Sequence, residues 1–323
     1  MCVNASASCR PGERLLCRPV SVNDGQTKNA VATDWPTIVV VTLFWALFVA
    51  TVREGHRLST VLVVAALAVL GGLYMSLQHE TIHGHPTPFP RFNWLLTSAP
   101  LGVMLPLDRY RDTHLAHHRA DLTNPIDDPE SHYVTPEAWS IASGPHRLVL
   151  RVNRTMAGRL TIGPLLSTVR MWRGDFSRLR HRPDVRRAWI LHVVAVTALI
   201  LILRAAGLPL WIYMLGFVFG GASLTALRSF VEHAAVDNGV RSAMVHTGWF
   251  FSLIFLNNNL HYTHHQLPGA SWFRLAKLTH TLDAETIVTD GAGVYRGYRD
   301  VARRFLFRPF GQPVYPLRVT IDE

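Results

Sequence analysis

"LSTVLVVAALAVLGGLYMSLQHETIHGHP", residues 58–86, joins two signals that are usually found apart. Residues 58–78 carry no charge and are mostly apolar, long enough to cross a bilayer core, which takes about 20 helical residues. Directly behind them His79, Glu80 and His83 spell HExxH, the spacing in which zinc hydrolases hold metal with two histidines and use the glutamate as general base. The stretch therefore reads as a membrane helix that ends in a metal-binding turn. Which metal it serves depends on what the rest of the chain brings to that turn.

Three more runs have membrane length: 36–52 ("PTIVVVTLFWALFVATV"), 188–203 ("AWILHVVAVTALILIL") and 208–227 ("LPLWIYMLGFVFGGASLTAL"). With 58–78 they pair into two hairpins, turning at "REGHR" (53–57) and "RAAGLP" (204–209). Two weaker apolar segments, 93–107 and 243–260, are broken by Pro100, Gly102 and Pro106 or end in asparagines, so they read as re-entrant or interfacial helices. The expected fold is an all-α integral membrane protein: four transmembrane helices, these partial helices, and a cytoplasmic histidine-rich cap. One membrane domain, 34–310, is expected between an N-terminal tail, 1–33, read as poorly ordered, and a C-terminal tail, 311–323.

Composition supports a lipid setting. The chain has 323 residues, 49% of them apolar, and a formal charge of +10 carried almost wholly by arginine, since Lys28 and Lys277 are its only lysines. Such charge can serve nucleic acid or anionic lipid, but uncharged runs this long favour lipid and exclude nucleic acid as the expected partner. Cys2, Cys9 and Cys17 form no CxxC pair and offer no thiolate metal site. The N-terminal tail lacks the order of a signal peptide. Between residues 146 and 187 there are eleven arginines against Asp175 and Asp184, which places this loop on the cytoplasmic side by the positive-inside rule.

Seventeen histidines are present, and nine fall in groups just past span ends: His79 and His83; His114, His117 and His118 in "HLAHH"; His233 in "FVEHA"; His261, His264 and His265 in "HYTHH". On a helix, i, i+3 and i+4 share a face, so each HxxHH is read as turning three imidazoles toward one point. The lone histidines, His56, His132, His146, His181, His192, His246 and His280, read as interfacial side chains. Nine imidazoles are too many for one zinc, which takes four ligands, and suit two metals with four or five each. Imidazole accommodates iron, copper, zinc and nickel, so the donors alone do not choose. A lipid substrate at this surface asks for oxidation, which needs a redox metal and dioxygen.

HxxxH, HxxHH and HxxHH, in that order and each behind an apolar segment, resemble the three histidine boxes of the membrane fatty acid desaturase and hydroxylase superfamily, over roughly residues 36–280. "FVEHA" is similar to the EH element of the alkane hydroxylase branch, "HHRADLTNPIDDPE" to the second box with its acidic Pro segment, and "NNNLHYTHHQLPGASWFRL" to the third box of bacterial members. Bacterial lipid head-group hydroxylases of the ornithine lipid type and the rhizopine-catabolism oxygenase look as near as acyl desaturases. The resemblance implies a non-haem diiron site ligated by His79, His83, His114, His117, His118, His233, His261, His264 and His265. It further implies O2 and external electrons used to desaturate or hydroxylate a C–H bond of a fatty acyl chain or lipid-like substrate. Glu80, Asp127, Asp128 and Glu232 are the candidate carboxylates behind the ligands, and Asn257 leads the "NNN" run as a candidate for holding a metal-bound water. His85, two residues past His83 and followed by Pro86, falls off the helical face.

No iron–sulfur or dinucleotide signature is evident, so a ferredoxin, rubredoxin or small haem protein is expected as donor, with the arginine-rich loop as one docking surface. Two rivals remain from other classes. An intramembrane zinc protease would use "HETIH" and "NPID" (124–127) but leaves seven grouped histidines without a role. A metal transporter would place ligands near the midplane, where only His192 lies.

Overall fold

The computed structural model describes residues 33–316. The three cysteines and nearly all of the expected N-terminal tail, with residues 317–323 of the expected C-terminal tail, lie outside the described residues. Four helices are long and apolar enough to cross a membrane: α1 (Trp35–Glu54, prolonged by a 3-10 turn to Arg57), α2 (Thr60–Ile82), α8 (Pro183–Ala205) and α9 (Leu210–Ser229). They coincide with the four apolar runs, but α2 does not stop where its apolar run stops. Gln78, His79 and Glu80 are buried, so the helix continues through its polar last turn and carries HExxH on regular backbone.

Lipid and protein faces separate the spans. In α2 and α9 44% of the most apolar window is buried within the protein, against 28% in α1 and 17% in α8, so α2 and α9 form the inner pair. Buried Val63, Leu67, Leu70, Tyr74 and Leu77 repeat at alternating steps of four and three along α2, the stripe of a helix packed along its length. Its neighbour α9 approaches to backbone contact. A Cβ on Gly71 would lie 2.3 Å from Phe217 O and 2.9 Å from Gly221 Cα, and one on Gly216 would lie 2.9 Å from Val64 O. Apolar burial gives no preference for helix over lipid tails, so close small-residue packing holds such a pair together. The same stretch of α9, Met214–Gly220, winds as a π-helix. On α8, by contrast, Ile190, Leu191, Val193, Val194, Leu201 and Ile202 are all exposed, as a lipid-facing helix requires.

The weak apolar segment 93–107 does not cross. Helix α3 (Pro90–Thr97) ends, and the chain runs irregularly to α4 (Leu107–His117), passing Val103 at φ 59°. Unpaired carbonyls in hydrocarbon cost several kcal/mol each. Here side chains from separate helices meet them. Trp45 of α1 donates to Leu96 O (3.1 Å), Tyr74 of α2 to Thr97 O (2.6 Å) and Ala99 O (2.5 Å), and Tyr213 of α9 to Leu101 O (2.7 Å). His192 of α8 donates to Val103 O (2.7 Å), and Trp172 donates to Met104 O (2.7 Å). His192 is thus a structural histidine, as its isolation suggests, but it faces protein rather than an interface.

Between α4 and α8 lie α5 (Gly144–Asn153), α6 (Met156–Thr161) and α7 (Gly163–Arg178), which carries Trp172. The second weak segment, 243–260, contains a departure from the all-α expectation. Met244–Val245 (β1) pair in parallel with Val294–Tyr295 (β2). Two residues per strand are too few to show in a sequence pattern. Helix α10 (Trp249–Ile254) follows β1, Leu256 and Asn257 turn the chain at φ 47° and 54°, and α11 (His261–Gln266) begins; the last helix, α12, spans Tyr298–Phe305.

Candidate metal centre

The nine grouped histidines come together as two sets. His79, His83, His114, His118 and His264 form one, and His117, His233, His261 and His265 the other; within each set one nitrogen per ring lies within 4.8 Å of every other. The two HxxHH boxes do not each aim at one point. In both, i and i+4 enter one set and i+3 the other: 114 and 118 against 117, and 261 and 265 against 264. At 3.6 residues per turn, neighbours such as His117 and His118 diverge by about 100°, so they cannot share a centre. Each box therefore contributes to both sets, while α2 supplies only the first set and His233, just past α9, only the second.

Facing nitrogens are close. In the first set Nε2–Nε2 separations are 3.0 Å for His83–His114, 3.1 Å for His114–His118 and 3.1 Å for His118–His264. In the second they are 3.1 Å for His117–His233, 2.9 Å for His233–His261 and 3.1 Å for His261–His265. Several of these rings use their other nitrogen as a donor. His117 Nδ1 donates to Asp128 (2.7 Å), His114 Nδ1 to Glu130 (3.2 Å), and His261 Nδ1 to Asn258 Oδ1 (3.2 Å), with Glu232 Oε1 at 3.5 Å. A neutral imidazole that donates through Nδ1 has a lone pair on Nε2. His233 Nδ1 likewise donates to Arg241 O (3.4 Å), so the inward Nε2 atoms of His117, His233 and His261 stand lone pair against lone pair, which a cation between them relieves. With metal–imidazole bonds of about 2.1 Å, edges near 3.0 Å subtend roughly 90°, whereas a tetrahedron needs about 3.4 Å. The donor sets thus fit five- or six-coordinate metals with positions left open, and not a closed structural zinc.

Burial favours the neutral, ligating form at most of these rings; at His117 burial is outweighed by the hydrogen bond to Asp128 and the nearby acids, which raise it. Burial, reinforced by neighbouring imidazoles, pushes His83 down to about 2, His118 to about 3 and His233 to about 3. Burial alone would raise Glu130, but His114 beside it holds it well below the usual carboxylate range.

A family model for fatty acid desaturases matches residues 56–296, more than half of the chain. The chain belongs to the fatty acid desaturase family. No individual curated protein matches it. The region shared with the desaturase family includes all nine grouped histidines and the acids behind them, and begins at the turn after α1.

The other candidate residues of this desaturase-family site are placed unequally. Asp128 is buried against His117 and also accepts from Thr123 N–H (3.0 Å); Asp127 accepts from Asp121 N–H instead, closing a turn. Glu232 lies between Arg228 (2.9 Å) and His261. Glu80, one residue from His79 and so on another face of α2, stays 3.9 Å from His79 Nδ1 and accepts from Trp272 N–H (3.4 Å). Asn257 donates to Trp272 O (3.1 Å), whereas Asn258 spans the two sets, its Nδ2 donating to His79 Nε2 (3.3 Å) while its Oδ1 accepts from His261. His85 joins neither set: its ring holds Asp34 (2.9 Å) and Gly269 O (3.2 Å), tying the start of α1 to the chain after α11. Sequence reasoning missed Glu130 and set Asn257 before Asn258. The signal for Glu130 was present, since it ends the acidic "DDPE" run.

Proposed function

We propose that the chain is a membrane-bound, non-haem diiron oxidoreductase that uses O2 and external electrons to oxidise a C–H bond of a fatty acyl chain or related lipid. The observation that carries this reading is the division of nine histidines into two adjacent open sets at the end of membrane-length helices. Two irons would be held by His79, His83, His114, His118 and His264, and by His117, His233, His261 and His265. They would supply the activation of dioxygen that side chains cannot perform.

The chain's own groups hold and orient. Asp128, Glu130 and Asn258 fix the ring orientation of His117, His114 and His261 through Nδ1, the arrangement that keeps a ligating histidine basic and aimed. Glu232 is pushed up to about 7 by burial, against the pull of Arg228, so its carboxyl can hold a proton beside His261. Burial of His79, His114, His117, His261 and His264 keeps bulk water from the centre.

The eleven arginines between 146 and 187 favour a cytoplasmic site, in a bacterial inner membrane, with a soluble donor of the ferredoxin, rubredoxin or small haem-protein kind. Desaturation and hydroxylation share the first hydrogen removal and part at the second step, so product analysis decides between them. Lipid mass spectrometry of cells with and without the protein is expected to show a lipid that loses two hydrogens or gains one oxygen. Head-group fragments that carry the added oxygen would move the reading to a head-group hydroxylase. Purified protein with near-stoichiometric zinc and peptidase activity would overturn it.

A further inference from the structure

Away from the histidines, the turn between α5 and α6 collects Arg154 and Arg159, neither of which has an ion-pair partner among the described residues. Arg154 and Arg159 are 3% and 2% exposed, and Arg159 is among the largest fully buried side chains of the protein. Arg154 donates to Tyr133 Oη (3.1 Å) and Phe310 O, and Arg159 Nε to Asn153 O (3.2 Å). Arg154 Nε, Arg159 Nη1 and the Asn153 amide oxygen nevertheless have no hydrogen-bond partner among the described residues. Aromatic rings take part of the charge: Arg154 lies 4.4 Å over Tyr133 and Arg159 5.8 Å from Phe230. Arg170 donates to Ser131 O, and burial with these three arginines pushes His132 well below the ordinary imidazole range.

An isolated buried cation costs several kcal/mol. Burial beside Arg154 pushes Arg159 down to about 9, which still leaves it charged at neutral pH. The charge therefore has to be met by something else. Gly163 lets the start of α7 close on these groups, since a Cβ there would lie 2.8 Å from Arg159 Cδ and 3.2 Å from Asn153 Oδ1. Arginine forks match planar and tetrahedral oxyanions better than a lone ammonium does.

We propose that Arg154 and Arg159, with Arg170 at the rim, form a binding site for an oxyanion of the phosphate or carboxylate class. The site is separate from the histidine sets and needs no metal. Its wall is the chain Ser131–Tyr133, which continues directly from Asp128 and Glu130, the acids behind His117 and His114. An anion bound there anchors that loop, and with it two rings of the centre.

The test uses the full chain purified in detergent. Native mass spectra report any phosphate-bearing adduct retained, and tryptophan fluorescence follows thermal unfolding with sodium phosphate or short-chain phosphatidate, against sodium chloride at equal ionic strength and a phosphatidylcholine of equal chain length. A retained adduct or a saturable rise in Tm with a phosphate probe is expected, and Arg159→Met should weaken the response about tenfold or more, the worth of a charged contact. Asn153→Asp, nearly isosteric, supplies a carboxylate from within: it should raise Tm without any probe and abolish adduct and response. Response to phosphatidate alone assigns the site to a lipid head group; response to inorganic phosphate assigns it to a free ion. Wild type with neither adduct nor response, or an Asn153→Asp protein that responds as wild type does, overturns the proposal. Should Arg159→Met fail to fold, the Asn153→Asp comparison decides alone.

Discussion

The two histidine sets are built from shared boxes but differ in what stands behind them. The first has five rings, two of them fixed to α2, and its supporting acid, Glu130, has a side chain 33% exposed. The second has four rings, none on a membrane-length helix, and leans on Asp128 and Glu232, both almost fully buried. Position in the first set is given by the rigid helix, in the second by buried carboxylates.

Adjacent residues offer the hardest break of this comparison. His264→Ala and His265→Ala each remove one ring from opposite sets, and each is expected to abolish turnover and lower bound iron by about half, with the remaining iron giving a different Mössbauer signature in the two variants. Loss of all iron in either would mean that the sets are one site. Next come the supporting acids. Asp128→Asn is expected to cost about 10–100-fold in iron affinity or turnover, and Glu130→Gln distinctly less, because its hydrogen bond is longer and wetter; chelator competition and product yield check the order. Gly71→Val tests the scaffold. Its Cβ collides with α9 backbone, so thermal stability in detergent should fall by about 1–3 kcal/mol, and iron loss should be confined to the set that α2 carries. The smallest effect separates two asparagines. Asn258→Ala should weaken iron retention a few-fold, in line with loss of roughly 1 kcal/mol of hydrogen bonding, while Asn257→Gly, which keeps the φ of 54°, should leave iron unchanged.

Much of this was legible in the residues, for identifiable reasons. Apolar runs mark membrane helices because backbone groups in lipid must be paired internally, and the four spans follow from that. The grouping of histidines past span ends is equally visible. How each HxxHH divides between two centres is not, because period 3.6 tells which rings share a face but not where a second cluster of donors waits. Asp128 was readable from its place after the second box, whereas Asn258 could be told from Asn257 only by the left-handed turn at Leu256 and Asn257. Least legible was the path of 96–104. Its carbonyls are met by Trp45, Tyr74, Trp172, His192 and Tyr213, which no local pattern links.

That unwound segment also sets an order of assembly. The carbonyls of Met104, Val103 and Leu101 wait for partners 68, 89 and 112 residues further along the chain. At about 5–20 residues per second, synthesis leaves the most distant of them unmatched for on the order of ten seconds. During that interval 96–104 cannot rest in lipid and has to stay hydrated or sheltered. Because this segment leads directly into α4, His114 and His117 are expected to reach their final places only after α9 has entered the bilayer.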